Sequence, residues 1–465
     1  MKPEARHSWH KIVSHIHGLV LSSSLWQLQK RGLLGQRSFQ IGEINGNPGY
    51  LHALFRALDS LGWVERAGSL GTPEMTVEWN DRGAQIIREA ACLEVVPTLL
   101  EQALDLAEGT EVKMPLIEHN GPFSEWLLGH QVGPIMLGAL LRPQNPLQDQ
   151  AQELLAKLNW HNSQGWTEEG YFASLQAGIY HYPISYLATV MRVEELLFGD
   201  ATSLRQRTDD GEESHVDRRR DILFSGQVFS GSVAPILWDH FLPLFEADAP
   251  PQTVIDIGCG DGKMLLELGL RAPEARLIGV EYNPVARDVA EENLKGSPGA
   301  LALHGDMGDP ASIAAELARH GIDLDSVLWV TKSVIHNRPY RAPRTSGRQG
   351  KTTTVCVDPQ GHMIPAGDLE QNLCEFFQSW TPFVRRHGFL VVEAHTVPPQ
   401  TARQHHNRTL APVLDYTHAL SNQLLIEASL FRSCAYEAGW RSKSQSELGS
   451  EAFGHDHMTV DHFVA

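Results

Sequence analysis

The stretch that most constrains the fold is residues 254–262, which read VIDIGCGDG. The stretch starts with apolar β-formers and predicts a buried strand. Glycines follow at 258, 260 and 262, and without a Cβ the backbone can approach a ligand closely. Residues 263–270 have a helical pattern, so we expect a strand, a glycine loop and a helix N-terminus. Dinucleotide-binding enzymes open in the same way, so the loop alone is a weak signal.

Two acidic residues at later strand ends indicate which class of ligand the glycine loop binds. Residues 277–280 predict a second strand ending in Glu281, nineteen residues after the last loop glycine, where a carboxylate can accept both ribose hydroxyls of an adenosine. A third strand at 301–304 leads to Asp306 and Met307, an acid and an apolar side chain suited to an adenine. This spacing resembles that of the class I S-adenosylmethionine (SAM) methyltransferases, which implies a doubly wound, Rossmann-like α/β sheet and SAM as cofactor. The cofactor-binding residues that the resemblance implies are Asp256, Gly258, Gly260, Gly262, Glu281, Tyr282, Asp306 and Met307.

Length, composition and charge limit the classes of protein to which this chain can belong. The 465 residues predict two or three domains, and 42% hydrophobic with 20% charged residues is the composition of a folded chain. No run of about 18 apolar residues predicts a membrane span, and the N-terminal residues lack a signal-peptide core. The formal net charge of −18 disfavours nucleic acid as a partner. We therefore expect a cytoplasmic protein that acts on small molecules, without membrane or nucleic-acid partners.

The chain before the glycine loop predicts two further regions. Residues 1–90 carry helices and then two alternating strands around a Gly/Pro turn, which is a winged-helix-like pattern. Because its second helix is not strongly basic, we expect this unit to serve as a lid or to form a homodimer rather than to bind DNA. Residues 91–200 indicate a helical lid or substrate region, residues 199–220 a polar linker, and residues 221–465 the methyltransferase domain.

Histidines follow two later strands of the predicted sheet. The strand at 325–330 leads to His336, and the strand at 388–394 leads to His395; ligands of doubly wound sheets lie at such strand ends. Two imidazoles can ligate iron, manganese or zinc and leave positions open for a bidentate acid. One histidine can instead act as a general base, or either can be structural. Arg338 adds a guanidinium whose fork matches a substrate carboxylate, unless a protein carboxylate pairs with it.

Three segments around these histidines resemble one particular group of methyltransferases. Residues 333–340 (SVIHNRPY), 390–399 (LVVEAHTVPP) and 415–423 (DYTHALSNQ) resemble the initiating C-methyltransferase domain of the apratoxin polyketide pathway and its relatives. That resemblance implies a mononuclear iron or manganese centre and methylation of a malonyl unit on an acyl carrier protein. The histidine spacing is also similar to that of phenylpyruvate C-methyltransferases, where two histidines and the 2-oxo acid bind iron. The implied residues are catalytic His336, His395 and Arg338, and metal-binding His336, His395 and Gln423.

Two further groups have open roles. His418 lies five residues before Gln423, and the two side chains can complete a metal shell, hold the acceptor or form a polar patch. Basic residues also crowd one loop, which we interpret as a lid, as a dock for an acidic carrier protein, or as a solvated loop. They are Arg341, Arg344, Arg348 and Lys351.

The leading hypothesis is a SAM-dependent C-methyltransferase of specialised, polyketide-like metabolism. It would methylate the carbon α to a carbonyl in a 2-oxo acid or in a malonyl or acyl thioester, with metal-assisted stabilisation of the enolate. The alternative is a metal-independent O- or N-methyltransferase of small molecules with a histidine base. A third hypothesis is a winged-helix regulator whose SAM-like domain senses a metabolite, although the weak basic charge of residues 30–90 speaks against it.

Overall fold

The computed structural model describes residues 3–110, 121–142, 147, 149–205, 215–449 and 454–465. The linker predicted at residues 199–220 lies partly outside these ranges. The N-terminal half is mainly helical, as predicted. Its α-helices and strands are α1 (Pro3–Lys30), β1 (Ser38–Gln40), α2 (Pro48–Ser60), β2 (Val64–Ala67), β3 (Thr76–Trp79), α3 (Asp81–Ile87), α4 (Val96–Glu108), α5 (Ser124–Leu141), α6 (Asp149–Lys157), β4 (His161–Asn162), β5 (Gly165–Trp166), α7 (Glu168–Leu175), α8 (His181–Ser185), α9 (Leu187–Met191) and α10 (Val193–Phe198).

The first residues combine helices with a small antiparallel sheet. The predicted hairpin of β2 and β3 is present, and β1, which the sequence pattern did not indicate, adds a third strand on the other side of β3. Every residue of α2 from Gly49 to Ser60 is buried. Its Arg56 forms an ion pair with Asp415 and donates to the side chain of Thr396. The second helix is therefore packed into the C-terminal half and has no free face for a DNA groove.

The C-terminal half is an α/β unit, which confirms the predicted fold class. The strand order of its seven-stranded sheet is β11-β12-β10-β9-β6-β7-β8, and β12 runs antiparallel to the other six strands. Because the order of the strands reverses between β6 and β9, a ligand crevice forms at their carboxyl ends. The elements are α11 (Arg218–Val228), α12 (Ala234–Phe245), β6 (Thr253–Ile257), α13 (Lys263–Arg271), β7 (Arg276–Glu281), α14 (Pro284–Leu294), β8 (Leu301–His304), α15 (Pro310–Arg319), β9 (Val327–Lys332), α16 (Ala366–Trp380), β10 (Phe389–Ala394), α17 (Pro399–Gln404), α18 (Ala411–Leu420), α19 (Ala428–Glu437), β11 (Arg441–Leu448) and β12 (Met458–Val464).

Alternate residues of the central strands enter different cores. Ile255 and Trp329 pack on one face of the sheet, whereas Val254 and Leu328 pack on the other. This period of two places apolar side chains on both faces, as a sheet covered by helices on each side requires. A third core joins the N-terminal helices to α18, including its Tyr416. The two halves of the chain are therefore packed against each other through a shared hydrophobic core.

One helical stretch of the described residues is long and apolar enough to cross a membrane. Arg218–Phe245 runs through α11, a π-helical turn and α12, and 33% of its most apolar window is buried. Phe229 and Leu237 of this stretch pack with Val254 of the sheet. Core packing thus accounts for part of its apolar character, and the absence of a membrane partner stays a prediction.

Six buried histidines in the described part of the chain predict acid sensitivity. Burial lowers their pKa values from 6.5 to about 4, or to about 3 for His418. Between these values the unfolded chain binds protons that the folded protein does not, so stability falls as the pH falls through this window. Urea unfolding at a series of pH values should show this decline, and a level free energy of unfolding would contradict it. The residues are His17, His52, His130, His181, His395 and His418.

Candidate active site

One large cavity lies at the carboxyl ends of the central parallel strands. Its volume is about 440 Å³, and α11 contributes Ser225 and Gly226 to its wall. Gly262 does not line it, but precedes α13 in a left-handed conformation with φ of +76°. The structure thus collects seven of the eight predicted SAM residues around one space, namely Asp256, Gly258, Gly260, Glu281, Tyr282, Asp306 and Met307.

The backbone of the loop requires glycine at position 258. Gly258 has φ of +72°, and a Cβ there would lie 2.4 Å from the side chain of Val334. Its N–H donates to the carbonyl of Val280 at 2.7 Å. Only a residue without a side chain lets the end of β6 pass this close to the segment that follows β9.

Glu281 is fixed at the end of β7 by backbone donors. Its Oε2 accepts from Gly260 N–H, and its Oε1 accepts from the N–H groups of Tyr282 and Asn283, each at 2.9 Å. Oε1 thus accepts two hydrogen bonds and Oε2 only one, so the second lone pair of Oε2 can still accept from a ribose hydroxyl. The glycine loop and the predicted ribose ligand are thus held in one network.

The end of β8 provides an acid beside apolar and aromatic surface. Asp306 Oδ1 accepts from Gly308 N–H at 2.7 Å, and Met307 is buried. The ring of Tyr282 lies over that of His304, with 5.7 Å between the centroids. This combination of flat apolar surface and one hydrogen-bond acceptor suits the predicted adenine.

Two ionisable cavity residues, one acidic and one basic, form no ion pair with a described residue. Both carboxylate oxygens of Asp256 are buried and have no hydrogen bond there, and burial raises the pKa of Asp256 well above its usual value. Lys332 Nζ donates to Ser225 Oγ at 2.5 Å, and burial lowers its pKa. The amino-acid end of SAM carries one ammonium and one carboxylate, which match these two groups. Sequence reasoning missed Lys332, although a lysine that ends an apolar strand was a usable signal.

Replacing Lys332 with methionine should therefore weaken S-adenosylhomocysteine by about 10- to 100-fold, the worth of one charge-assisted hydrogen bond. Methylthioadenosine, which lacks the amino-acid part, should bind both proteins equally. Calorimetry with each ligand measures the difference, and Lys295→Met, at the surface, serves as the control. Equal losses for both ligands would contradict the assignment.

His336 lies in the turn after β9 and is paired with a carboxylate. Its Nδ1 donates to Glu393 Oε1 at 2.5 Å, while Glu393 Oε2 accepts from the backbone N–H of Ile335 at 2.8 Å. Burial by itself would raise the pKa of Glu393, but attraction to His336 and these hydrogen bonds outweigh it and lower that pKa. An ionised Glu393 fixes the proton on Nδ1, so the lone pair of His336 is on Nε2.

The structure brings His336 together with His418 of α18. Their ring centroids are 5.1 Å apart, and His418 Nδ1 donates to the carbonyl of Leu414 at 2.6 Å. Burial lowers the pKa of His418 to about 3, so this ring is neutral at neutral pH. Gln423 donates its backbone N–H to the carbonyl of His418 at 2.8 Å, and its Oε1 is buried without a partner among the described residues.

His395 differs from the prediction that it is a catalytic or metal-binding residue. Its Nδ1 donates to the carbonyl of Ile426 at 3.2 Å, and its Nε2 accepts from the hydroxyl of Thr459 at 2.9 Å. A neutral imidazole has one donor and one acceptor, so both are already used. His395 does follow the end of a strand, as predicted. Its two ring nitrogens, however, are occupied by Ile426 and by Thr459 of the neighbouring antiparallel strand β12.

The predicted metal set of His336, His395 and Gln423 therefore needs one change. Among the described residues, no group of three or more His, Cys, Asp or Glu side chains is arranged to hold a metal ion. With His418 in place of His395, the set has two imidazoles whose Nδ1 atoms are fixed by a carboxylate and a carbonyl, as is usual for ligating histidines. The orphaned Oε1 of Gln423 is an oxygen donor, so the donor atoms of these three residues are of the kinds that a metal ion binds.

Arg338 is a buried cation on the cavity wall. Its Nε donates to Asn372 Oδ1 at 3.0 Å, and one Nη donates to the carbonyl of Ile335 at 2.8 Å. It forms no ion pair with a described residue, including Glu393. Burial lowers the pKa of Arg338 to about 10, so it stays charged at neutral pH. An anionic ligand in the cavity would supply the missing counter-charge.

The basic loop is partly neutralised by acidic neighbours. Arg348 donates to both carboxylate oxygens of Glu437, at 2.6 and 2.9 Å, and to Glu370. Arg341 differs, because its side chain is 66% exposed and lies 3.7 Å from the cavity residue Asp306. Of the four basic side chains in this loop, that of Arg341 is the one that pairs with a described cavity residue.

Sequence comparison with curated proteins finds partial relatives. The chain is 27% identical over 161 residues to a tRNA (guanine-N(7)-)-methyltransferase of Microcystis aeruginosa, covering 32% of this chain and 74% of that protein. It is 32% identical over 121 residues to a tRNA1(Val) (adenine(37)-N6)-methyltransferase of Yersinia pestis, covering 26% of this chain. The match spans only 43% of that second relative.

Solved structures of low sequence identity align with large parts of this chain. The CurJ carbon methyltransferase aligns over 80% of this chain and 93% of its own, at 12% identity and a TM-score of 0.35. An O-methyltransferase family protein from Burkholderia thailandensis aligns over 72% of this chain and 94% of its own, at 12% identity and a TM-score of 0.45.

A family comparison covers the site itself. Residues 213–455 match the AprA MT2-like domain. That range is slightly more than half of the chain and contains the glycine loop, the acidic strand ends and the segments with His336, His395 and His418. The chain therefore belongs to the AprA MT2-like domain family, and it is a SAM-dependent methyltransferase.

Proposed function

We propose that this enzyme methylates the carbon α to a carbonyl of a small acid in specialised, polyketide-like metabolism. The acceptor is a 2-oxo acid or a malonyl or acyl thioester. The observation that carries the proposal is Arg338, a buried guanidinium on the cavity wall without a described ion-pair partner. Its fork matches two carboxylate oxygens and would hold the acceptor in the cavity that also binds the methyl donor.

The chain's own residues supply orientation and the correct protonation state. Glu393 fixes the His336 tautomer and ring through the Nδ1 hydrogen bond. Burial keeps His418 neutral, so its Nε2 also has a lone pair at neutral pH. Arg338 aligns the acid, and the glycine loop places the methyl group for an in-line transfer.

The metal part of the proposal concerns iron or manganese held by His336, His418 and Gln423. When bound, such an ion would polarise the acceptor carbonyl and stabilise the negative charge that develops on its oxygen. Elemental analysis of the purified protein should find the metal, and His418→Ala should lower its content. Full turnover by metal-free protein would overturn the metal part of the proposal. The proposed class of methyl acceptor would not be affected by that result.

A second candidate is O- or N-methylation without a metal. The pair of His336 and Glu393 supports it, because a histidine oriented by a carboxylate is sufficient as a general base for a hydroxyl or amine. A winged-helix regulator has less support, since α2 is buried against the catalytic half.

The test is turnover of labelled acceptors. The protein is incubated with trideuteromethyl SAM and with 2-oxo acids, malonyl-pantetheine and malonyl-carrier protein. Each acceptor is deuterated at the carbon α to its ketone or thioester carbonyl, and products are read by mass spectrometry. C-methylation replaces one α-deuterium with the labelled methyl group, whereas O- or N-methylation keeps every α-deuterium. Faster turnover of the carrier-bound form would add an acyl carrier protein as partner. Methylated products that keep all α-deuterium would refute the first proposal.

A further inference from the structure

The loop after α18 holds an asparagine in an unusual conformation at the cavity. Asn422 has φ of +55° and lines the cavity together with Ser421. The left-handed region is unfavourable for a residue with a side chain, and such residues cluster at ligand sites. The backbone therefore holds this side chain in place at an energetic cost.

The hydrogen bonds of Asn422 define which way its amide points. Its Nδ2 donates to Tyr50 Oη at 3.1 Å, to the carbonyl of Val357 at 2.9 Å and to that of Asp358 at 3.1 Å. Carbonyl oxygens only accept, so the amide nitrogen must lie on this side and Oδ1 on the other. Tyr50 belongs to α2, so the N-terminal unit helps to set this orientation.

The oxygen of this amide, Oδ1, has no hydrogen-bond partner among the described residues. Asn422 Oδ1 is buried and has no hydrogen bond to a described residue, and the same is true of Ser421 Oγ beside it. An unsatisfied buried acceptor destabilises the folded protein. The three anchors account for Nδ2 alone, so this cavity-lining residue keeps an amide oxygen that no described residue uses.

We propose that Asn422 Oδ1 accepts a hydrogen bond from an O–H or N–H group of the methyl acceptor and thereby selects it. The inference rests on the proposed function, because it takes the cavity as the acceptor site. The acceptor then combines an anionic group for Arg338 with a neutral hydrogen-bond donor for Asn422. Two sources supply such a donor: the enol hydroxyl of a 2-oxo acid, for which a 2-hydroxy acid is a stable analogue, or an amide N–H of a pantetheine-like arm.

The test uses two pairs of probes with the protein saturated with S-adenosylhomocysteine. One pair is 2-hydroxybutyrate and its methyl ether, and the other is malonyl-pantetheine and its N-methylated form. Calorimetry should show that the wild type binds the donor-bearing member of one pair about 10-fold more tightly, and which pair responds identifies the source of the donor. In Asn422→Gly, which tolerates this backbone, that preference should disappear.

A matched control separates recognition from folding. Asn159 also adopts a left-handed conformation, with φ of +61°, but does not line the cavity, so Asn159→Gly should keep the preference. The inference is overturned if the wild type shows no preference within either pair, or if Asn422→Gly keeps it. It is also overturned if Asn422→Gly weakens S-adenosylhomocysteine as much as the probes. Because binding is measured, the outcome does not depend on which atom is methylated.

Discussion

Replacing His336 with alanine is expected to lower kcat by about 10²- to 10⁴-fold, the usual contribution of a proton-transfer residue. His336 is paired with Glu393 at 2.5 Å and lies against His418 in the turn between the cofactor half and the far half of the sheet. His336 itself does not line the described cavity, although the next residues, Asn337 and Arg338, do. The Kd of SAM should therefore stay near the wild-type value, and steady-state kinetics with calorimetry measures both.

His395→Ala provides the comparison. Its ring bonds to Ile426 and Thr459, so we expect its removal chiefly to lower the thermal midpoint, by leaving buried polar groups unpaired. Far-ultraviolet circular dichroism shows whether each variant is folded. If folded His395→Ala lost as much kcat as His336→Ala, the original prediction for His395 would be right and the structural interpretation wrong.

Replacing Glu281 with alanine should weaken SAM by about 10- to 100-fold, because charge-assisted hydrogen bonds are worth about 1.5–3 kcal/mol each. The carboxylate is the predicted partner of the ribose hydroxyls, and it also holds Gly260, Tyr282 and Asn283 through their N–H groups. Its loss removes the ribose contact and loosens the glycine loop together. Equilibrium titration with S-adenosylhomocysteine measures the change.

Glu292→Ala is a suitable control, since this exposed glutamate on α14 pairs with Lys295 at the surface. It should bind the cofactor as the wild type does. Retained affinity in folded Glu281→Ala would count against the ribose assignment and would move the cofactor within the cavity.

The cofactor half of the site could be predicted because its residues are close in sequence to strand ends. Asp256, Glu281 and Asp306 each follow a short apolar run, and parallel neighbours bring those ends to one edge of the sheet. Gly258 was recognisable for the same local reason. Short-range pattern sufficed here, and the structure places these residues around one cavity.

The acceptor half depends on contacts between distant segments, which a single sequence does not display. His395 was predicted to face a ligand, but β12 returns antiparallel beside β10 and occupies the ring through Thr459. His418 reaches His336 because α18 packs under the N-terminal helices. The amide of Asn422 is oriented by the carbonyls of Val357 and Asp358 with the help of Tyr50, all far away in the chain. No periodicity or spacing rule links such pairs.

The measurement that tests the central claim most directly is the carbon-13 spectrum of the product. The enzyme is supplied with SAM labelled with carbon-13 in its methyl group. The acceptor is labelled with carbon-13 at the carbon α to its ketone or thioester carbonyl, called the α-carbon below. The account predicts a one-bond carbon–carbon coupling between the new methyl group and the α-carbon. A labelled methyl group without that coupling, bonded instead to oxygen or nitrogen, would contradict it.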